Sequence, residues 1–260
     1  MGVLNVTPDS FSDGGQHLDP REAIAHGRRL VEDGADVVDV GGESTRPGAD
    51  PVDAETEAAR VVPVIEGLAD DVRVSVDTTK ASVARAAIDA GASLVNDVSA
   101  SLASVASERS VGWVAMHMQG SPRTMQDRPS YDDVVSEVRE FLVDRASSAR
   151  DEGVEEVWID PGIGFGKTLA HNVELLAGIE QLVATGYPVV VGTSRKSFLG
   201  RLLADSDARS PNGAAADPAP VDDRLEGSVA TATWAMRQGV GMVRVHDVRA
   251  TSHAAQVVAS

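Results

Sequence analysis

The chain contains no cysteine, only three lysines (Lys80, Lys167 and Lys196), 3% aromatic residues and no apolar stretch close to the ~20 residues that a membrane-spanning helix needs. Without cysteine, a disulfide-stapled secreted domain is excluded. The opening residues are too short and uncharged for a signal peptide, and a myristoylation reading of Met1-Gly2 fails at Val6, where that motif wants Ser or Thr. The expectation is a cytoplasmic protein with no membrane partner. Positive charge is also scarce, with 23 basic against 40 acidic side chains and a formal net charge of -17. Such a field repels a polyanion, so no nucleic-acid partner is expected. Two explanations compete for the acidity. One is an ordinary acidic protein in which Arg has replaced Lys through codon bias. The other, favoured on charge physics, is a halophilic protein in which concentrated salt screens the self-repulsion.

What the sequence has in abundance is alternation. Short β-branched runs at 3–6, 37–40, 72–76, 94–96, 113–116, 157–159, 189–191 and 243–245 alternate with amphipathic stretches at 20–33, 53–68, 80–89, 131–152, 169–185 and 225–238. Gly34, Gly91, Gly153, Gly186 and Gly239 stand where helix C-termini are expected. Eight strand-helix units in this length fit a (β/α)8 barrel, although a doubly wound open sheet gives similar local signals. The polar residues favour the barrel. Asn5, Glu43, Asp77, Asn96 with Asp97, His117, Asp160, Thr193 with Lys196, and Arg244 with His246 all lie at or just after the C-terminal end of an apolar run. A closed barrel gathers all such ends around one mouth, whereas an open sheet concentrates them at one switch point. The reading is one domain over 1–260, with a surface loop at 205–223 rich in Asp, Ala, Pro, Ser and Gly.

Several motifs narrow the chemistry. Gly162-Ile-Gly-Phe-Gly-Lys-Thr168 looks like a phosphate loop, but Pro161 stands where the Walker pattern needs Gly and supplies no N–H. A loop with this much glycine at a barrel mouth instead lets the backbone approach a flat ligand, on which Phe165 can stack. Asp77, Asn96 and Asp160 compete between capping the next helix and holding a heterocycle. With Lys196 beside them the second role gains weight, because carboxylates accept paired N–H groups while an ammonium donates to a carbonyl or ring nitrogen. Arg244 and His246 share one face of the last strand, and Arg46 follows Thr45 in a tight loop, so anion binding is expected there. Asn5 offers a neutral oxygen to a Mg²⁺ ion completed by water and substrate phosphate. No H-E-x-x-H pair and no G-x-S-x-G elbow occurs, and Lys196 is adjacent to Ser197 rather than at helical spacing from it, so a zinc site and a serine nucleophile are not expected. His17, His26, His171 and His253 read as ordinary surface residues.

Taken in order, Met1 to Gly15, Val-Asp-Val-Gly-Gly-Glu-Ser-Thr-Arg-Pro-Gly48, Ser-Val-Asp-Thr78, Val-Asn-Asp97, Met-His-Met-Gln-Gly120, Asp-Pro-Gly-Ile-Gly-Phe-Gly-Lys167, Gly-Thr-Ser-Arg-Lys-Ser197 and Arg-Val-His-Asp247 resemble the dihydropteroate synthase family of pterin-binding barrels. The resemblance implies a transferase of folate biosynthesis that joins 6-hydroxymethyl-7,8-dihydropterin diphosphate to 4-aminobenzoate. By matching motif, Asp77, Asn96, Asp160 and Lys196 would hold the pterin. Asn5 with Mg²⁺, Arg46, Arg244 and His246 would hold the diphosphate, and Thr45, Phe165, Lys196 and Ser197 would shape the aminobenzoate site. Asp77, Lys196, Arg244 and His246 would carry the catalysis. A homodimer is a family expectation only. A pterin-binding methyltransferase domain and an inactive pterin-binding paralogue are the alternatives. Because Met1 already lies inside the first strand, further residues are expected before it in the native protein.

Overall fold

A computed structural model describes residues 1–7, 19–44, 51–209 and 217–259. Thr45 and Arg46 lie outside the described residues. All eight expected strands are present: β1 (Gly2–Asn5), β2 (Val37–Gly41), β3 (Arg73–Asp77), β4 (Leu94–Asp97), β5 (Gly112–Met116), β6 (Val157–Asp160), β7 (Val190–Val191) and β8 (Met242–Val243). β1 to β6 form one parallel sheet in chain order, and β7 pairs with β8. Parallel bridges between Ile159 and Val189 and between Gly2 and Val245 join these two pieces. At the second seam the Val3 N–H donates to Val245 O at 2.9 Å and the Val245 N–H to Met1 O at 3.0 Å. Every strand therefore has a neighbour on both sides, as a (β/α)8 barrel requires.

Helices α1 (Pro20–Glu32), α2 (Ala54–Leu68), α3 (Ala81–Asp89), α4 (Ala103–Arg109), α5 (Val134–Asp151), α6 (Leu169–Ala177), α7 (Ile179–Val183), α8 (Ser197–Ala208), α9 (Leu225–Arg237) and α10 (Val248–Ala259) surround the strands. Asp19, Asp53 and Asp133 cap α1, α2 and α5 through their carboxylates, as short acceptors before a helical run do. The five glycines expected at helix ends all have positive φ. Three differences from the sequence reading stand out. The stretch 169–185 is two helices, because Gly178 closes α6 by donating to Glu174 O while Val135 packs 2.9 Å from where a Cβ would stand. α8 runs on to Ala208, so the first four residues of the expected surface loop are helical, and a 3-10 turn occupies Val221–Asp223 near its end. His171 is no idle surface residue, since it completes a capping box with Thr168.

Strand parity divides the core in two. Outward residues such as Leu4, Val38, Val40, Val74, Val76, Trp113 and Ile159 join the helices in one cluster. The inward residues Met1, Val37, Leu94, Val114 and Val190 form a separate plug with Trp158 and Met242 against it. Two residues further along, the inward positions turn polar: Asp39 after Val37, Asn96 after Leu94, Asp160 after Trp158 and Arg244 after Met242. The plug fills the lower barrel, and the polar level above it faces the mouth.

Candidate active site

A lone acid between valines in β2 is the centre of this level. Asp39 is fully buried, and its Oδ2 accepts from Arg244 Nε at 2.6 Å and from Asn96 Nδ2 at 3.0 Å. Arg244 turns its Nη2 to Asp77 Oδ2 at 2.8 Å. One guanidinium thus spans β2, β3 and β8, and fixed direction is what a planar fork supplies. Burial lifts the Asp77 carboxyl to about 7 although the Arg244 charge pulls it down. Burial also opposes the charge on Arg244, but Asp39 and Asp77 outweigh it and hold the guanidinium above its ordinary value. Among the described residues, Asp39 Oδ1 and Ser75 Oγ, on directly paired residues of β2 and β3, are buried with no partner.

Across the mouth, Asp160 closes β6 and its Oδ1 accepts the Gly162 N–H at 2.7 Å. Burial raises its carboxyl while Lys196 pulls it down. Lys196 donates to Ile163 O, and its Nζ lies 4.8 Å from the Phe165 ring centre, a cation–π contact. Burial draws the Lys196 ammonium down to about 8 against the attraction of Asp160. Asp77 and Asn96 are not helix caps, and Asp97 secures the turn ahead of α4 by accepting the N–H groups of Ser99, Ser101 and Leu102. Asn5 ends β1 beside Gly41, where a Cβ would come 3.7 Å from Asn5 Oδ1 and 3.8 Å from Asp77 Oδ2. The absent side chain keeps the space between them clear.

The loops after β7 and β8 are fastened in two steps. Ser194 Oγ accepts the His246 N–H at 3.1 Å and lies 3.0 Å from His246 Nδ1, and next to it Arg195 grips Asp247 through Nε and Nη2. Arg195 takes φ +59, and its main chain is satisfied by Ser228 Oγ at 2.9 Å and Arg224 Nη1 at 2.9 Å. Lys196, Arg244 and His246 consequently stand on two loops that cannot shift independently. Ser197 opens α8 and is exposed.

The structure brings Asp77, Asn96, Asp160, Lys196, Phe165, Arg244, His246, Ser197 and Asn5 to the end of the barrel where the strands terminate. Sequence reasoning missed Asp39, whose signal was a charge inside an apolar run at inward parity. It also missed Lys80, which bridges Glu43 and the fully buried Glu57. Gly162 and Gly166 lie against the protein's own backbone at His117 and Gln119, while Gly164 faces the Lys196 side chain.

Comparison with known proteins gives a consistent picture. A model of the pterin binding enzyme family matches residues 1–246. The dihydropteroate synthase of Mycobacterium leprae is 48% identical, over 99% of this chain and 91% of that protein. A structure of Xanthomonas albilineans dihydropteroate synthase with 4-aminobenzoic acid superposes with a TM-score of 0.87 at 46% identity, covering 98% of this chain and 90% of the other. The same enzyme in complex with 7,8-dihydropteroate gives 0.83 at 43%, with the same two coverages.

Proposed function

The chain belongs to the pterin-binding enzyme family, in its dihydropteroate synthase group, and from that premise we propose that it joins 6-hydroxymethyl-7,8-dihydropterin diphosphate to 4-aminobenzoate, releasing pyrophosphate and 7,8-dihydropteroate. The observation that carries the reading is the ring of Asp77, Asn96, Asp160 and Lys196 around Arg244, drawn from separate strands and loops. Carboxylates and an amide oxygen accept the N–H groups of an amidine-like heterocycle edge, and an ammonium donates to its oxygen or ring nitrogen. A pocket built this way holds a pterin flat across the barrel mouth, with its side chain pointing toward Arg244 and His246.

The amine of 4-aminobenzoate is a weak nucleophile, so the carbon it attacks must become electron-poor. In the step, the nitrogen lone pair forms a bond to the pterin methylene carbon as the C–O bond breaks. The pyrophosphate leaves with that electron pair, and the amine proton passes to solvent. Arg244 and His246 meet the charge that grows on the leaving oxygens, and Asp77 favours cationic character in the ring. Because Arg244 is already held by Asp39 and Asp77, little reorganisation accompanies the reaction. Lys196 and Phe165, one above the other, border the space for the aminobenzoate, with Ser197 beside them at the start of α8. Thr45 and Arg46 are assigned to the aminobenzoate and diphosphate by motif alone.

The donor set fits Mg²⁺ in one way. Among the described residues no cluster of three His, Cys, Asp or Glu side chains can hold a metal, so the ion would keep a shell of water and diphosphate oxygen with Asn5 as its protein ligand. Bound there it would neutralise diphosphate charge. The reading treats 1–260 as one catalytic barrel working in the cytoplasm, and a homodimer as its assembly.

Purified protein supplied with the dihydropterin diphosphate, Mg²⁺ and 4-aminobenzoate should release pyrophosphate and form dihydropteroate. A wild-type protein that binds pterin and releases none would leave the inactive paralogue as the answer. Asp160→Asn should retain the fold and bind the pterin diphosphate at least ~10-fold more weakly, since an amide cannot accept two parallel N–H bonds. Calorimetry showing unchanged affinity would remove Asp160 from the pterin site.

A further inference from the structure

The turn between β6 and α6 is held by Lys196 and by three side chains that the proposed reaction does not use. Gly162 has φ +64 and a Cβ on it would lie 1.9 Å from His117 O, while Gly166 has φ +61 and a Cβ on it would lie 2.4 Å from Gln119 O. The turn therefore rests backbone to backbone on the loop after β5, which no other residue type permits. Its carbonyls are then claimed one by one. Gln126 Nε2 donates to Gly164 O at 2.8 Å, Tyr131 Oη to Gly166 O at 2.8 Å, and Lys196 to Ile163 O. Phe165 O accepts from Lys167 Nζ at 2.9 Å.

Lys167 is the buried member of this set, at 2% exposure. Burial draws its ammonium down to about 7 against the attraction of Asp160. In the charged form its three protons find three acceptors: Phe165 O, His117 Nδ1 at 3.0 Å and His117 O at 3.3 Å. Burial and the Lys167 charge together lower His117 to about 3, so its ring is neutral and Nδ1 is free to accept. The ring is wedged against Phe141, whose centre is 5.0 Å away in an edge contact, and against Tyr131 at 6.0 Å. One buried amino group thus ties the main chain of Phe165 to a rigid anchor just past the end of β5.

We propose that Lys167 is a positioning residue for the amine substrate: seated on His117, it fixes the Phe165 main chain and so holds the Phe165 ring under Lys196 as the wall of the aminobenzoate subsite. The inference rests on the synthase reading. Remove the amino group and the buried His117 carbonyl and the half-buried Phe165 carbonyl lose this donor, a cost that the turn relieves by re-seating. Re-seating moves Phe165 but not Asp77, Asn96 or Arg244, which belong to other strands, while Asp160 and Lys196 bond the turn ahead of Phe165, at Gly162 N–H and Ile163 O, through contacts that Lys167 does not make. The effect falls on the amine and spares the pterin.

The test is Lys167→Met, which keeps length and removes the donors. Steady-state kinetics should show KM for 4-aminobenzoate raised about tenfold with KM for the pterin diphosphate within about twofold. Because Lys167 acts through the ring, Lys167→Met combined with Phe165→Ala should have the amine KM of Phe165→Ala alone. An unchanged amine KM, an equal rise in both KM values, or effects that multiply in the double variant each overturn the proposal. Should Lys167→Met fail to fold, Tyr131→Phe removes only the donor to Gly166 O and should show the same split at smaller size. No split there overturns the proposal. A crystal structure of either variant gives a readout independent of turnover: a displaced Phe165 ring supports the role, and a ring still under Lys196 refutes it. Wild-type protein that makes no product would instead count against the synthase reading, leaving the ring position to judge Lys167.

Discussion

Asp77 is where burial and charge are most finely opposed. Desolvation lifts its carboxyl to about 7 against the pull of Arg244, so the group is mostly protonated at pH 6 and mostly ionised at pH 8. A carboxylate that must accept N–H groups works only in the second state. Affinity for a pterin without its diphosphate, a ligand that avoids His246, should rise about fivefold from pH 6 to pH 8, the tenfold gain in ionised Asp77 being offset about twofold by loss of the Lys196 ammonium. Asp77→Asn should bind more weakly and lose the rise. Calorimetry across this range decides it, and a wild-type profile that is flat or falling would contradict the assignment. Asp39 next to it has a different duty. It accepts from Arg244 and Asn96 and is wholly buried, so it sets where those two side chains point.

At the scale of elements, the two loop pairs at the mouth are locked by different means. The loops after β7 and β8 are joined by side chains, Ser194 to His246 and Arg195 to Asp247. The loop after β5 and the turn after β6 are joined by main-chain contact, which makes glycine obligatory at two positions. Gly162→Ala would put a methyl group 1.9 Å from His117 O at φ +64. The clash is with backbone and has no side-chain escape. The substitution should destabilise the protein by at least about 3 kcal/mol in chemical denaturation, the level of a severe core or strain defect. A loss under 1 kcal/mol would show that the two loops are not in contact as described. Such paired loops explain how side chains from separate strands can hold one ligand rigidly.

For the molecule as a whole, the acidity has to be placed. The mouth sets Lys196, Arg244 and His246 against Asp39, Asp77 and Asp160 and so carries little of the excess, and the charge of -17 resides mainly on the outer surface. Surface pairs such as Arg28 with Asp71 and Arg85 with Glu108 relieve little of it, since exposed ion pairs contribute about 0–1 kcal/mol each. Screening does more, because the range of charge interaction shrinks from about 10 Å at 0.1 M salt to about 3 Å at 1 M. The melting temperature should therefore climb as KCl is raised from 0.1 to 2 M. A midpoint that stays level would favour codon bias as the origin of the missing lysines.

Much of this architecture was legible in the sequence. The eight runs of β-branched residues, the amphipathic stretches and the terminal glycines follow from local periodicity and backbone preference, and the polar residues at the strand ends announced a shared mouth. α4 and α10 were not singled out: α4 is short, whereas α10 is amphipathic and its pattern could have been found. What only the tertiary structure decided is which of the polar groups meet. Arg244 reaches Asp39 across 205 residues of chain, and Lys167 reaches His117 across 50. A sequence encodes the chemistry and parity of each residue through its neighbours, but contacts of that separation exist only once closure of the barrel has set the strands side by side.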